Sequence, residues 1–242
     1  MLAQQLRSLL DSVSFAADTG SFRFTTQSIQ LECNGKITAC ATDGRHMAYR
    51  EMPESFLPDG QYLLDVRGVR DLCRRITKTA FGQVAWSPKG DKAITFQVTR
   101  KAKPRVVTCE VPLVEGRFPN WKECYHHDTV TGQPEGVIHG VREDVLGSLP
   151  TPGNNGYLFD LRNKTASIVQ DIKPPKNSGC ITIAGEASMR LDVEALRNWL
   201  ESLPAKSKLT IEFYDDGRPV RGNADNGSHY LLMPMRRKCD LC

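Results

Sequence analysis

The chain has 242 residues, 40% of them hydrophobic and 25% charged, with 32 Lys and Arg against 28 Asp and Glu. That balance disfavours a disordered or fibrous chain and suits one large or two medium globular domains that need no disulfide or metal staple. No apolar run approaches the roughly 18–20 residues of a membrane span, and Gln4, Gln5 and Arg7 break up the N-terminal leucines where a signal peptide needs an apolar stretch, so the expectation is a cytoplasmic protein.

Leu6, Leu9, Leu10 and Val13 recur at helical spacing and predict a first helix from Leu2 to about Phe15. Alternating segments follow at Phe22–Cys33 and Lys36–Thr42, joined by the hairpin signal Asn34-Gly35. Asp43-Gly44 makes a second turn before a strand from His46 to Glu51. A helix is predicted from Asp65, a plausible N-cap, to about Lys78, with basic residues crowding its end where the helix dipole favours them. Three more strands are expected at Gln83–Ser87, Ala93–Thr99 and Arg105–Leu113, the first two joined across Pro88-Lys89-Gly90-Asp91.

An internal repeat is visible. Leu64-Asp65-Val66-Arg67-Gly68-Val69-Arg70-Asp71-Leu72 reads against Leu191-Asp192-Val193-Glu194-Ala195-Leu196-Arg197-Asn198-Trp199, with Leu, Asp, Val and Arg recurring at an offset of 127. At that offset Val84-Ala85-Trp86 meets Ile211-Glu212-Phe213. The chain therefore reads as two copies of one α+β unit, with a boundary in the polar stretch His126–Gln133, giving domains 1–125 and 126–242. Charge divides unevenly between them. The first holds 18 basic and 13 acidic side chains and the second 14 and 15, and an excess of positive charge in one half points weakly toward a polyanion.

Eight cysteines without a signal peptide read as reduced thiols, several of them small core residues. Cys239-x-x-Cys242 has metal-ligand spacing but lacks a second pair, and Cys124, His126 and His127 complete four ligands only if the two places meet in space, so no metal or other cofactor is assigned. There is no GxxxxGK[ST] loop, HExxH, GxSxG or GxGxxG, and Asp215-Asp216-Gly217 reads as a hairpin turn rather than a calcium loop. No catalytic residue is named and no enzyme is expected.

The basic helix is more informative. Arg67, Arg70, Arg74 and Lys78 fall within an arc of about 80° at roughly 100° per residue, while Val66, Val69, Leu72, Cys73 and Ile76 take the opposite side. Four like charges in a stripe suit the regular phosphates of a nucleic-acid backbone, which attract Lys and Arg without reading sequence. Arg70 and Arg74 are both expected to be exposed. Arg7 on the first helix and Arg197 on the repeat-matched helix are weaker DNA-contact candidates.

Three segments carry a resemblance. They are Ala41-Thr42-Asp43-Gly44-Arg45-His46-Met47-Ala48, then Val114-Glu115-Gly116-Arg117-Phe118-Pro119-Asn120-Trp121, and finally Tyr230-Leu231-Leu232-Met233-Pro234-Met235-Arg236. In this order and at about this spacing they resemble the bacterial sliding clamp family, the beta subunit of DNA polymerase III. That family has ATDG followed by His-Arg-Leu, a GRFP-aromatic segment, and a closing aromatic-Val-Val-Met-Pro-Met-Arg. Residues 1–125 resemble its middle domain and 126–242 its last. The family's N-terminal domain has no counterpart, His-Arg is inverted to Arg45-His46, and Arg237 to Cys242 form an added tail.

The resemblance implies a processivity factor built from α+β clamp-type domains, with helices lining the inside of a ring and antiparallel sheets outside. Its partners would be double-stranded DNA bound without sequence preference, a DNA polymerase and a clamp loader, with no membrane association. Partner peptides would enter a pocket between the two domains formed by Thr42, Gly44, Arg45, His46, Met47, Pro119, Leu231, Leu232, Met233, Pro234, Met235 and Arg236. Methionines suit a surface that accepts varied apolar anchors. Of Leu231 and Leu232, which alternate along a strand, one is expected to fill the core instead. With two domains per chain, a six-domain ring needs three copies, so a homotrimer is expected. The alternative is a clamp-like protein that captures such peptides, or joins another clamp, without encircling DNA.

Overall fold

The predicted apolar stripe of the first helix becomes one fully buried side of α1 (Ala3–Ser14) in the computed structural model, where Leu6, Leu9, Leu10 and Val13 are all inaccessible. The structure describes residues 2–18, 20, 24–53, 57–76, 82–99, 106–126, 133–149, 157–160, 167–168, 182–185, 188–214 and 218–234. The chain divides into two units, residues 1–119 and 120–242.

In the first unit, β1 (Ser28–Cys33), β2 (Ile37–Thr42), β3 (His46–Met52) and β4 (Gly60–Asp65) lie antiparallel in the order β3-β2-β1-β4. Strand structure was expected from Phe22, but residues 24–27 form a 3-10 turn and β1 starts only at Ser28. The reason is local: the Ser28 hydroxyl donates to the Thr25 carbonyl at 2.6 Å, a side-chain bond that competes with the ladder.

The next helix, α2 (Val66–Arg75), is capped by Asp65, whose carboxylate accepts the Gly68 N–H at 2.8 Å. It packs closely on the second sheet at Gly68, where a Cβ would stand 2.9 Å from Pro112. That sheet consists of β5 (Val84–Lys89), β6 (Ala93–Thr99) and β7 (Val106–Pro112), again antiparallel. The expected turn at Pro88 is instead strand through Lys89, because β5 is an edge where proline's missing N–H costs no ladder bond.

The second unit contains α3 (Trp121–His126), β8 (Gly136–Val141), α4 (Arg142–Ser148), β9 (Tyr157–Asp160), β10 (Ser167–Ile168), β11 (Thr182–Gly185), β12 (Ser188–Leu191), α5 (Val193–Ser202), β13 (Lys208–Phe213), β14 (Val220–Ala224) and β15 (Ser228–Leu232). Its strands lie in the orders β11-β8-β13-β14-β15 and β10-β9-β12. Trp199 on α5 is fully buried, stacked on Tyr230 at 5.1 Å between ring centroids and lying directly over Gly222 of β14.

The sequence repeat corresponds to a repeat of structure. Asp192 caps α5 through the Glu194 and Ala195 N–H groups at 3.0 and 3.1 Å, as Asp65 caps α2. The strand before each helix pairs with the first strand after the preceding helix, β4 with β1 and β12 with β9. Leu2 bridges Gln83 beside β5, the counterpart of the β8–β13 pairing. Antiparallel sheets with packed helices make each unit α+β.

Candidate nucleic-acid and peptide interfaces

Val66, Val69, Leu72 and Cys73 bury one side of α2 against the first unit, which turns Arg67, Arg74 and Arg75 outward. Arg67 and Arg74 are exposed and have no hydrogen-bond or ion-pair partner among the described residues. Arg75, beside them, is tied to Asp71 at 2.7 Å, and that hydrogen bond and charge push its guanidinium further up. Lys78 lies outside the described residues.

The remaining arginines of the expected DNA contact are engaged within their units. Arg70 is half-buried and donates to the Ser14 carbonyl at 3.0 Å. Arg7 pairs with Asp11 at 2.9 Å and donates to the Ile76 carbonyl at 2.6 Å. Arg197 donates to the Leu149 carbonyl at 3.3 Å.

The segment Thr42–Met47 is a tight connection between β2 and β3 built by its own side chains. The Thr42 hydroxyl donates to the His46 carbonyl at 2.7 Å and accepts the Gly44 N–H at 3.0 Å. Asp43 Oδ1 accepts the N–H groups of Arg45 and His46 at 2.7 and 2.9 Å. Gly44 has φ +88°, a conformation that a side chain strains. The consequence is a fixed loop that exposes Arg45, half-buries His46 edge-on to Phe15 at 6.0 Å, and buries Met47.

Pro119 is exposed next to the buried Phe118. Leu231 and Leu232 are both buried, at 5% and 1% exposure, although only one was expected to serve the core. Met233 is 46% exposed, one of three large exposed hydrophobics among the described residues, and Pro234 is half-buried. Met235, Arg236 and the tail to Cys242 lie outside the described residues, as do His127 and Asp215-Asp216-Gly217, and the side chains of Cys124 and His126. The possible metal ligands therefore have no described geometry.

Sequence reasoning missed Asp43 as the residue that builds the loop and Arg142 as the counterpart of Arg7; Arg142 donates to the Leu200 carbonyl at 2.9 Å. The Asx-turn signal was present at Asp43-Gly44, whereas nothing short-range marks Arg142, whose partner is 58 residues away.

No family model and no curated protein sequence matches the chain. Solved structures do. The chain is similar to a DNA polymerase sliding clamp from Pseudomonas aeruginosa, with 20% identity, a TM-score of 0.73 and coverage of 98% of this chain and 66% of that one. It is similar to the DNA polymerase III beta subunit of Thermotoga maritima at 15% identity and TM-score 0.73, covering 98% and 65%. The beta subunit from the DNA polymerase of Streptococcus pyogenes gives 15% identity, TM-score 0.73 and coverage of 98% and 65%. The chain thus spans about two thirds of the length of the clamps it matches. Nearly its whole length adopts the fold of the DNA polymerase III beta-subunit sliding clamp, in a form shorter than those three proteins.

Proposed function

We propose that the chain is a DNA sliding clamp, a processivity factor that encircles duplex DNA and tethers a replicative polymerase. One conjunction carries this reading: a clamp fold over 98% of the chain, together with a helix whose solvent side bears Arg67 and Arg74 without acidic partners among the described residues. Charges of this kind hold a phosphate backbone without reading bases, which suits sliding. Retention comes from topology, so no catalytic group is needed.

In this reading the first unit stands for the clamp's middle domain and the second for its last. The residues assigned to contact with short peptides of a polymerase or loader are the Thr42–Met47 loop and Pro119 in the first unit and, in the second, the Leu231–Arg236 segment that the family resemblance implies. Met233 supports this role, since an exposed methionine on a surface strand end is an adaptable apolar contact. Three copies joined head to tail supply six units and close the ring, the arrangement that avoids growth into a filament.

The engagement of Arg7, Arg70 and Arg197 within their own units favours a second reading, a clamp-like protein that binds the same peptides, or joins another clamp, without encircling DNA. Light scattering at micromolar concentration separates the two. A mass of three chains supports the ring, and a mass of one or two chains supports the non-encircling form.

A further inference from the structure

Each unit contains a helix pair, α1 with α2 and α4 with α5. The last carbonyls of a helix have no partner in the helix and carry partial negative charge. In the first unit, Arg7 of α1 reaches the carbonyl of Ile76, the C-cap of α2, while Arg70 of α2 reaches Ser14, the last residue of α1. In the second unit, Arg142 of α4 reaches Leu200 in the last turn of α5, while Arg197 of α5 reaches Leu149, the C-cap of α4. Four long-range hydrogen bonds thus repeat one reciprocal pattern, and Arg70 and Arg197 occupy matching places in the sequence repeat.

The charge left over differs sharply between the pairs. Helices α1 and α2 hold five arginines and two aspartates, whereas α4 and α5 hold two arginines and four carboxylates. Both arginines of α4 and α5 are those that reach across, and Glu143, Glu194 and Glu201 are exposed. A phosphate backbone is attracted to the solvent side of the first pair and repelled by that of the second.

We infer that Arg7, Arg70, Arg142 and Arg197 are positioning residues that clasp the two helix pairs, and that DNA contact falls to the first unit alone, through Arg67 and Arg74. The clasp fixes α2 relative to α1 and so holds the two exposed guanidinium groups on a rigid element. This inference rests on the sliding-clamp reading only for the identity of the partner.

The test uses the full chain and a short duplex of arbitrary sequence, with the salt dependence of affinity and the Tm measured in parallel. Arg67→Met and Arg74→Met should each lower the slope of log affinity against log salt by about 0.9 and leave Tm unchanged. Arg70→Met and Arg197→Met should leave the slope unchanged and lower Tm by about 3 °C or more. If a methionine variant does not fold, Arg70→Gln decides, because glutamine keeps a donor for the carbonyl but removes the charge. It should restore part of the lost stability with a wild-type slope. A slope lowered by about 0.9 in Arg70→Gln or Arg197→Met, with an unmoved Tm, overturns the assignment. Wild-type chain that binds no duplex removes the sliding-clamp reading, while the Tm effects of Arg70 and Arg197 still decide the clasp.

Discussion

Arg70 Nη2 lies 3.0 Å from the carbonyl oxygen of Ser14, so an arginine in the middle of a basic stripe closes the end of a neighbouring helix. A stripe read from periodicity counts charges, but only geometry divides them into those that face a partner and those already engaged. Here the division leaves Arg67 and Arg74.

Reversing both charges, Arg67→Glu with Arg74→Glu, is therefore expected to weaken retention of duplex DNA at least about tenfold near 0.1 M salt. Because both side chains are exposed, Tm should shift by less than about 2 °C. Fluorescence anisotropy and a thermal melt check the two halves separately.

Gly222→Ala should destabilise the second unit by about 1–3 kcal/mol. A Cβ there would stand 2.4–2.9 Å from three ring carbons of Trp199, which is itself pinned by stacking on Tyr230. Gly147→Ala is the control. It lies in α4 with nothing within 4 Å, and alanine's smaller loss of backbone freedom should stabilise by about 0.5–1 kcal/mol. Denaturant melts of both variants give the two signs.

Asp43→Ala removes the acceptor for two backbone N–H groups in the β2–β3 loop and should cost about 1–2 kcal/mol. Asp43→Asn keeps an acceptor oxygen and should cost less than half as much. If the loop presents part of a peptide surface, the alanine variant also loses peptide affinity in proportion to its disorder, measurable by calorimetry.

Met233→Lys should abolish binding of a peptide with Leu or Phe anchors while leaving Tm nearly unchanged, since Met233 is 46% exposed. Surviving affinity would remove Met233 from the peptide surface.

Burial first, and then Asp11, pushes the Cys73 thiol up; burial and then Asp71 does the same for Cys109. Both stay neutral in the folded chain at pH values where unfolded thiols, with pKa near 8.5, ionise. Their contribution to stability is complete below that pH and falls as pH rises through it. Cys33 and Cys40 are buried too. Of the eight thiols, no more than four should react quickly with an alkylating reagent at pH 8 in the native protein, against all eight in denaturant.

Much of this was legible in local sequence. The Asp65 cap, the β2–β3 turn and the buried stripe of α1 each depend on residues a few positions apart. The repeat was legible because Leu64-Asp65-Val66 and Leu191-Asp192-Val193 solve the same strand-to-helix problem with the same cap. The engagement of Arg70 was not, since Ser14 is 56 residues away and an arginine looks the same on a free or an occupied face. Nor was the double burial of Leu231 and Leu232, because alternation along a strand says nothing about whether both of its faces are covered.

The most direct test of a clamp is whether its hold on DNA depends on the topology of the DNA. The protein is assembled on a nicked circular duplex, isolated by gel filtration, and the circle is then cut at one site. Encirclement predicts that protein stays with the circle in the column and leaves once the DNA is linear. Equal retention on circular and linear DNA would contradict it.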